Sequence, residues 1–305
     1  MSSRLRETVT ECLAQAQSDS EEVQQNALKT LASLTKVSPQ NRNLLAQTDG
    51  AISTFLNLCR SSSSKIIQFL SLSILFNLSL NSNLKQPLAE MEMIHHLNSI
   101  IICPSCPECS KLAVSLICSL AMLDKNKAVF GVAGTVQALV KSVEFQASCI
   151  AAHHVLSSLT ELVQFHGNST LAVRAGAIPV LIQIVKSTES EDAGTALSVL
   201  VLLGRFKEGI DAIRNTEEVV NLMVDVLKRR CMLSKEGSAE ILLRLFDESE
   251  DCVRVAVELP DFSSLVADLS VRGSAKAREK ASLLMKKMME VNLDAYFESH
   301  PMFYL

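Results

Sequence analysis

The chain has 305 residues, of which 48% are hydrophobic and only 4% aromatic, and its formal net charge is −4. Just 10 glycines and 7 prolines exclude a fold of many short strands joined by tight hairpins. The mild charge excludes nucleic acid as the main partner, because binding to a phosphate backbone needs a basic stripe. The one basic run, Lys228-Arg229-Arg230, is interpreted as the end of a helix, where cations favour the helix dipole.

The N-terminal residues show no continuous apolar core, so no signal peptide is predicted. The most apolar run, Ile66 to Leu80, is interrupted by polar residues and is shorter than the roughly 20 residues of a membrane span. We therefore expect a buried helix there and no membrane partner. The nine cysteines are odd in number and scattered, which favours a reducing compartment, cytoplasmic and/or nuclear.

In chain order, the first predicted element is an N-terminal capping helix pair over residues 1–37. The repeats are predicted over 38–290. Apolar segments begin 42 residues apart at Gly50, Glu92, Gly134, Gly176, Glu218 and Pro260. Each has large apolar residues at its second and fifth following positions, a helical spacing.

A second pattern lies between these segments, in which a small residue is followed four and seven places later by large aliphatic residues. The triplets are Ala27/Leu31/Leu34, Ser71/Leu75/Leu78, Ala113/Ile117/Leu120, Ala152/Leu156/Leu159, Ala196/Leu200/Leu203, Ser238/Leu242/Leu245 and Ala281/Met285/Met288. A short third helix is predicted before Gly50, Gly134 and Glu218. The glycines at 50, 134 and 176 permit a sharp turn between helices. The predicted unit is therefore a short helix, a sharp turn, a medium helix, a loop and a long helix.

This unit resembles the armadillo repeat over residues 20 to 290, most clearly in AGAIPVLIQIV (175–185) and AGTALSVLVLL (193–203). Two further stretches, ILFNLSLNSNLKQPLAE (74–90) and GSAKAREKASLLMKKM (273–288), are similar to the armadillo regions of plant U-box ubiquitin ligases. The resemblance implies an all-α, right-handed superhelical solenoid of about six three-helix repeats. Repeats occupy the chain from residue 20 onward and leave no room for a U-box, so we expect no ligase activity.

In the armadillo family the long helices line a concave groove. The resemblance places partner contacts one and five residues before the last aliphatic residue of each triplet. These positions hold Lys29, Ser33, Ser73, Asn77, Ser115, Ser119, His154, Ser158, Ser198, Leu202, Glu240, Arg244, Leu283 and Lys287.

Importin-alpha-like relatives grip basic peptides with a Trp and Asn ladder at these positions, and this chain has no Trp. Nor do the predicted positions form a basic groove like that of beta-catenin, which receives acidic ligands. A hydroxyl-rich first half and a charged second half favour an extended peptide held by hydrogen bonds. The alternative is that the serines only solvate the inner helix face.

Two groups of residues are candidates for metal binding or catalysis. Cys103, Cys106 and Cys109 have the spacing of zinc ligands, and His95 or His96 could complete the set. The cysteines fall in a predicted loop between helices, where an unliganded thiol cluster is the favoured interpretation, so we expect no metal and no cofactor. Cys149 precedes His153 and His154 on one predicted helix, but no third group or oxyanion site accompanies them.

The last predicted element is an aromatic tail, 291–305, which holds Tyr296, Phe297, Phe303 and Tyr304. It either caps the apolar end of the last repeat or is a free linear motif.

From these features we expect a non-enzymatic scaffold or adaptor that binds a protein or an extended peptide along the groove. The alternative is a substrate-recruiting component of a ubiquitin ligase pathway.

Overall fold

The computed structural model describes residues 3–103, 106–146, 152–187 and 191–299. Within these ranges the chain forms nineteen α-helices and no strand, which confirms the all-α armadillo prediction. The chain divides into two compact units, Met1–Leu171 and Ala172–Leu305.

Unit 1 contains ten complete helices. They are α1 (Ser3–Gln15), α2 (Glu21–Val37), α3 (Pro39–Ala46), α4 (Ala51–Ser61), α5 (Lys65–Ser79), α6 (Met91–Ile102), α7 (Pro107–Ala121), α8 (Asp124–Val132), α9 (Thr135–Gln146) and α10 (Ala152–Leu162). The division between the units falls within α11 (His166–Arg174).

Unit 2 contains the remaining eight helices. They are α12 (Ala177–Ser187), α13 (Glu191–Leu203), α14 (Lys207–Arg214), α15 (Val219–Lys228), α16 (Met232–Glu248), α17 (Glu250–Glu258), α18 (Phe262–Arg272) and α19 (Ala275–Ser299). Helix α19 continues past residue 291, where the sequence predicted the tail to begin. Residues 300–305 lie outside the described residues, so the role of the tail stays a prediction.

The order of short, medium and long helices recurs as predicted, with one difference in the second repeat. There the short helix is only a 3-10 turn, Ser82–Leu84. Pro87 follows in the same segment, and its ring and missing N–H oppose an α-helix that would pass through it.

The aliphatic triplets form the core of the long helices. Ser71, Leu75 and Leu78 on α5 are fully buried, and so are the triplets of α7 and α13. Long helices pack on long helices: α2 on α5, α5 on α7 and α7 on α10 in unit 1, and α13 on α16 and α16 on α19 in unit 2. Only Leu34 and Met285, in the first and last triplets, are half-buried.

The sharp turns before the medium helices use a left-handed backbone. Gly50, Gly134 and Gly176 have φ of 73°, 79° and 83°. Glu218, which lies 42 residues after Gly176, adopts the same conformation with φ of 54°. A side chain in this region costs about 1–2 kcal/mol, because its Cβ approaches a carbonyl oxygen.

Glu218→Gly is therefore expected to raise the free energy of unfolding by about 0.5–1 kcal/mol. The removed strain exceeds the roughly 0.5–1 kcal/mol that the added flexibility of the unfolded chain costs. Chemical denaturation measures the change. Glu218→Ala is the control: it keeps a Cβ, so equal stabilisation by alanine would contradict the explanation.

Candidate interaction face of the long helices

The residues of α5 that stay outside the core recur at three- and four-residue steps along one side. Phe69, Ser73 and Phe76 are half-buried, and Leu80 at the end of the helix is exposed. On α7 the corresponding side holds Lys111, Leu112, Ser115, Cys118 and Met122. We call the equivalent side of every long helix the exposed face.

Positions five residues before the last aliphatic of the triplet lie on the exposed face of most long helices. Lys29 on α2 is exposed, and Ser73, Ser115, Ser198 and Glu240 are half-buried. Leu283 on α19 is exposed. These residues remain candidates for partner contact.

Positions one residue before that aliphatic lie differently in α5 and α7, where they are buried. The side-chain nitrogen of Asn77 donates to Thr35 Oγ1 on α2 at 3.1 Å. The hydroxyls of Ser119 on α7 and Ser79 on α5 are 2.8 Å apart. Asn77 and Ser119 therefore join neighbouring long helices, whereas Ser33 on α2 stays exposed.

The exposed face of α10 lies three residues later than the triplet Ala152/Leu156/Leu159 predicts. Ser158 is buried, and its hydroxyl donates to the Val114 carbonyl of α7 at 3.1 Å. The pattern of burial along α7 recurs on α10 when Leu162, not Leu159, is matched to Leu120. The positions equivalent to Ser115 and Ser119 are then Ser157 and Glu161, and His154 moves one turn toward the start of the helix.

His154 is half-buried there. The pKa of its imidazole is lowered, first by burial and then by the nearby Lys111 and His153. Lys111 on α7 therefore lies close to His154 on α10. The suggested pairing with Cys149 lies outside the described residues.

In unit 2 the predicted contact residues Glu240, Arg244 and Lys287 form ion pairs within the chain. Glu240 accepts hydrogen bonds from Arg244 at 2.7 Å and from Lys280 of the next long helix. Burial alone would raise the pKa of Glu240, but the hydrogen bonds from Lys280 and Arg244 lower it. Lys287 pairs with Asp247 at 2.8 Å.

The sequence reasoning missed the exposed positions two residues before and two after the last aliphatic of the triplet. On α5 and α7 they hold Phe76, Leu80, Cys118 and Met122. Positions four or three residues apart point to nearly the same side of a helix, so the triplet spacing cannot choose between them. The packing of the neighbouring long helix decides which of these positions is covered and which stays exposed.

A second missed set holds consecutive repeats together. Asn126 donates to the Lys85 carbonyl and the Leu120 carbonyl, both at 3.0 Å. One repeat later, Asn168 donates to the Lys127 carbonyl at 2.8 Å and the Leu162 carbonyl at 3.0 Å. We call Asn126 and Asn168 the asparagine ties. Asn126 and Asn168 are separated by 42 residues, the length of one repeat, so the sequence could have revealed them.

The candidate zinc ligands do not come together. Cys109 is buried, while the Cys106 sulfur accepts a hydrogen bond from the Cys109 N–H at 3.2 Å and so caps α7. The ring of His96 faces the Cys59 carbonyl at 2.9 Å. In the part of the chain that the structure describes, no three His, Cys, Asp or Glu side chains form a group that could hold a metal ion.

The thiols differ sharply in their surroundings. Burial, and secondarily the neighbouring Cys109, raises the pKa of the Cys59 thiol to about 12, whereas Cys103 is exposed. Because the thiolate is the reactive form, iodoacetamide at pH 8 should modify Cys103 in the folded protein and leave Cys59 intact. Peptide mass spectrometry measures both. The denatured protein, in which the two should react alike, is the control; equal rates in the folded protein would contradict this assignment.

The basic run predicted at the end of a helix begins there. Lys228 lies in the last turn of α15 and pairs with Asp225 at 3.0 Å and Asp261 at 3.3 Å. Among the described residues no single helix is long and apolar enough to cross a membrane, although α11 and α12 reach that length as a bent pair.

Comparison with known proteins gives one family. A profile described as the ARM repeat region of plant U-box proteins matches residues 7–299. U-box domain-containing protein 8 of Arabidopsis thaliana is 29% identical over 216 residues, which cover 70% of this chain and 55% of that protein. U-box domain-containing protein 1 of Medicago truncatula is 30% identical over 124 residues, 39% of this chain and 17% of that protein. The chain thus spans about half or less of these relatives.

Solved structures share the fold at low sequence identity. An engineered protein superposes with a TM-score of 0.79 at 17% identity, over 92% of this chain and 68% of its own. A computationally designed armadillo repeat protein for modular peptide recognition gives 0.70 at 16% identity, over 79% and 99%. A designed armadillo repeat protein in complex with the peptide (KR)4 gives 0.58 at 15% identity, over 94% and 100%.

Proposed function

The chain belongs to the ARM repeat family of plant U-box proteins, and from that premise we propose that it is a non-enzymatic adaptor. It binds a partner protein or an extended peptide along the exposed face of its long helices. The observation that carries the proposal is the recurrence of this face, with half-buried Ser73, Ser115 and Ser198 at equivalent positions of three helices. Designed armadillo proteins of the same fold recognise peptides, which supports this assignment.

Proximity labelling in plant cells tests the proposal. The unaltered chain is compared with Ser73→Arg/Ser115→Arg, which fills the exposed face of α5 and α7 with two long cations. Ser53→Arg, at an exposed position of α4, is the matched control. We expect partners to be lost with the double variant and kept with the control. Partner sets that are the same for all three proteins would refute the proposal.

The second candidate is a substrate-recruiting role in a ubiquitin ligase pathway. Both relatives reported above are U-box domain-containing proteins, which favours it. The purified chain is incubated with ubiquitin, an activating enzyme and a conjugating enzyme, with and without an added U-box protein. Transfer to a captured partner only when the U-box protein is present supports recruitment. Autoubiquitination of the chain alone would contradict the non-enzymatic adaptor.

We further propose that the chain works in the cytoplasm and/or the nucleus. Free thiols are found at Cys12, Cys59, Cys103, Cys106, Cys118, Cys231 and Cys252, which suits a reducing compartment. A fluorescent fusion followed by cell fractionation tests this: recovery in a secretory compartment would contradict it.

A further inference from the structure

Large apolar side chains lie on the exposed face of unit 1. They are Phe69, Phe76 and Leu80 on α5, and Leu112 and Met122 on α7, and we call them the apolar stripe. Leu80 is 52% exposed and Met122 63% exposed, and the other three are half-buried. Side chains of this size usually lie in the core or at a binding site when they occur together.

The two halves of the stripe belong to neighbouring helices in one register. The Ser79 and Ser119 hydroxyls join α5 to α7, and Leu80 and Met122 occupy positions 42 residues apart in successive repeats. Each follows directly the buried end of its helix. The stripe therefore lies on the same side of two neighbouring long helices.

Cations flank this surface. Lys29 and Lys36 are exposed on α2, which packs on the other side of α5, and Lys111 is exposed on α7. None of the three forms an ion pair with another described residue. Glu161 on α10 lies 3.9 Å from the ammonium of Lys127. The exposed carboxylates Glu22 and Glu108 lie in the first turns of α2 and α7, at the opposite end of the long helices from Lys36, Leu80 and Met122.

On α16 of unit 2 the charges at the equivalent positions are already paired. Glu240 is already paired with Arg244 and Lys280, and Asp247 with Lys287. A charged ligand would have to break or desolvate these pairs, whereas the three lysines of unit 1 are available.

From the stripe and its flanking lysines we propose that unit 1 binds an acidic amphipathic segment of a partner protein. Large apolar side chains of that segment would cover Phe76, Leu80 and Met122, and its Asp and Glu residues would face Lys29, Lys36 and Lys111. The apolar contacts would supply most of the affinity, while the charges would select acidic over basic segments. This proposal rests on the adaptor function proposed above and names the chemistry of its partner.

A displayed library of random 16-residue peptides, selected on the full chain, tests the proposal. Selected peptides are measured by fluorescence polarisation on three variants. Leu80→Ser/Met122→Ser removes the two most exposed side chains of the stripe, and Lys29→Glu/Lys111→Glu reverses the flanking charge. Val132→Ser is the matched control, because Val132 is an apolar residue of unit 1 that is 80% exposed at the end of α8. Thermal unfolding checks that all variants fold.

We expect the selected peptides to combine Phe, Leu or Met with Asp or Glu. The stripe variant should bind them at least tenfold more weakly, and the charge variant several-fold more weakly with a smaller dependence on salt. Val132→Ser should bind unchanged. Peptides rich in Lys and Arg, or binding that the charge variant keeps, would overturn the acidic partner.

Failure of the stripe and failure of the adaptor function give different results. Binding that survives in the stripe variant but is lost with Ser198→Arg on α13 overturns the stripe and leaves the adaptor function standing. A selection that yields no peptide able to bind the full chain counts against both.

Discussion

Leu75→Ala is expected to lower the free energy of unfolding by about 2–5 kcal/mol. Leu75 is fully buried at the centre of α5, which packs against α2, α4 and α7. Removal of three carbon atoms costs the transfer free energy of the lost apolar surface, and the rigid helices around the site leave a cavity that costs more. In a repeat protein each repeat is stabilised by its neighbours, so the loss should extend through unit 1.

Urea denaturation followed by circular dichroism measures the effect of Leu75→Ala. If the curve shows two transitions, the one assigned to unit 1 should shift to lower urea. Val132→Ala, at an exposed site on α8, is the matched control and should change the free energy of unfolding by less than about 0.5 kcal/mol. A similar small change for Leu75→Ala would show that α5 is not part of the core.

Asn168→Ala is expected to lower the free energy of unfolding by about 1–3 kcal/mol, and Asn126→Ala by a similar amount. Each amide nitrogen donates to two backbone carbonyls, and both side chains are buried. Alanine leaves those carbonyls without these donors, and three of the four hydrogen bonds that it removes are buried. Most of the lost stability comes from carbonyl oxygens that are left without a hydrogen bond, and less comes from lost apolar contact.

Asn168→Asp separates this explanation from simple loss of volume. The carboxylate has almost the size of the amide but only accepts hydrogen bonds, so it would face two carbonyl oxygens. We expect it to be more destabilising than alanine at neutral pH and less so in acid, where the carboxyl is protonated and can donate. Asn57→Ala, on the exposed side of α4, is the control. If Asn57→Ala and Asn168→Ala lowered the free energy of unfolding equally, the asparagine ties would not stabilise the repeats as proposed.

Much of the fold could be predicted because it depends on local spacing. The glycines before the medium helices predicted sharp turns, and Gly50, Gly134 and Gly176 adopt the left-handed conformation that these turns require. The triplets predicted which side of each long helix is buried. These features need only the period of an α-helix and the size of side chains.

The candidate site was harder to predict because it depends on contacts between helices. An asparagine at position 77 is the residue type that binds peptides in armadillo relatives, but the Asn77 side chain instead donates to Thr35, 42 residues away. The triplet alignment placed Ser158 in the groove, yet Ser158 is bonded to α7. The exposed face of α10 begins three residues later than that alignment predicts. No spacing within one helix reveals which polar side chain the next helix will cover.

The asparagine ties also bear on how the two units open in solution. Asn126 and Asn168 join consecutive repeats of unit 1, and six residues after Leu203 the corresponding position in unit 2 holds Gly209, which has no side chain to donate. Amide protons on α7 and α10 should therefore exchange with deuterium together, in a single cooperative opening. Within unit 2 the link between α13 and α16 is a longer hydrogen bond of 3.5 Å from Arg244 to the Gly204 carbonyl, so the amide protons of these two helices should exchange at separate rates.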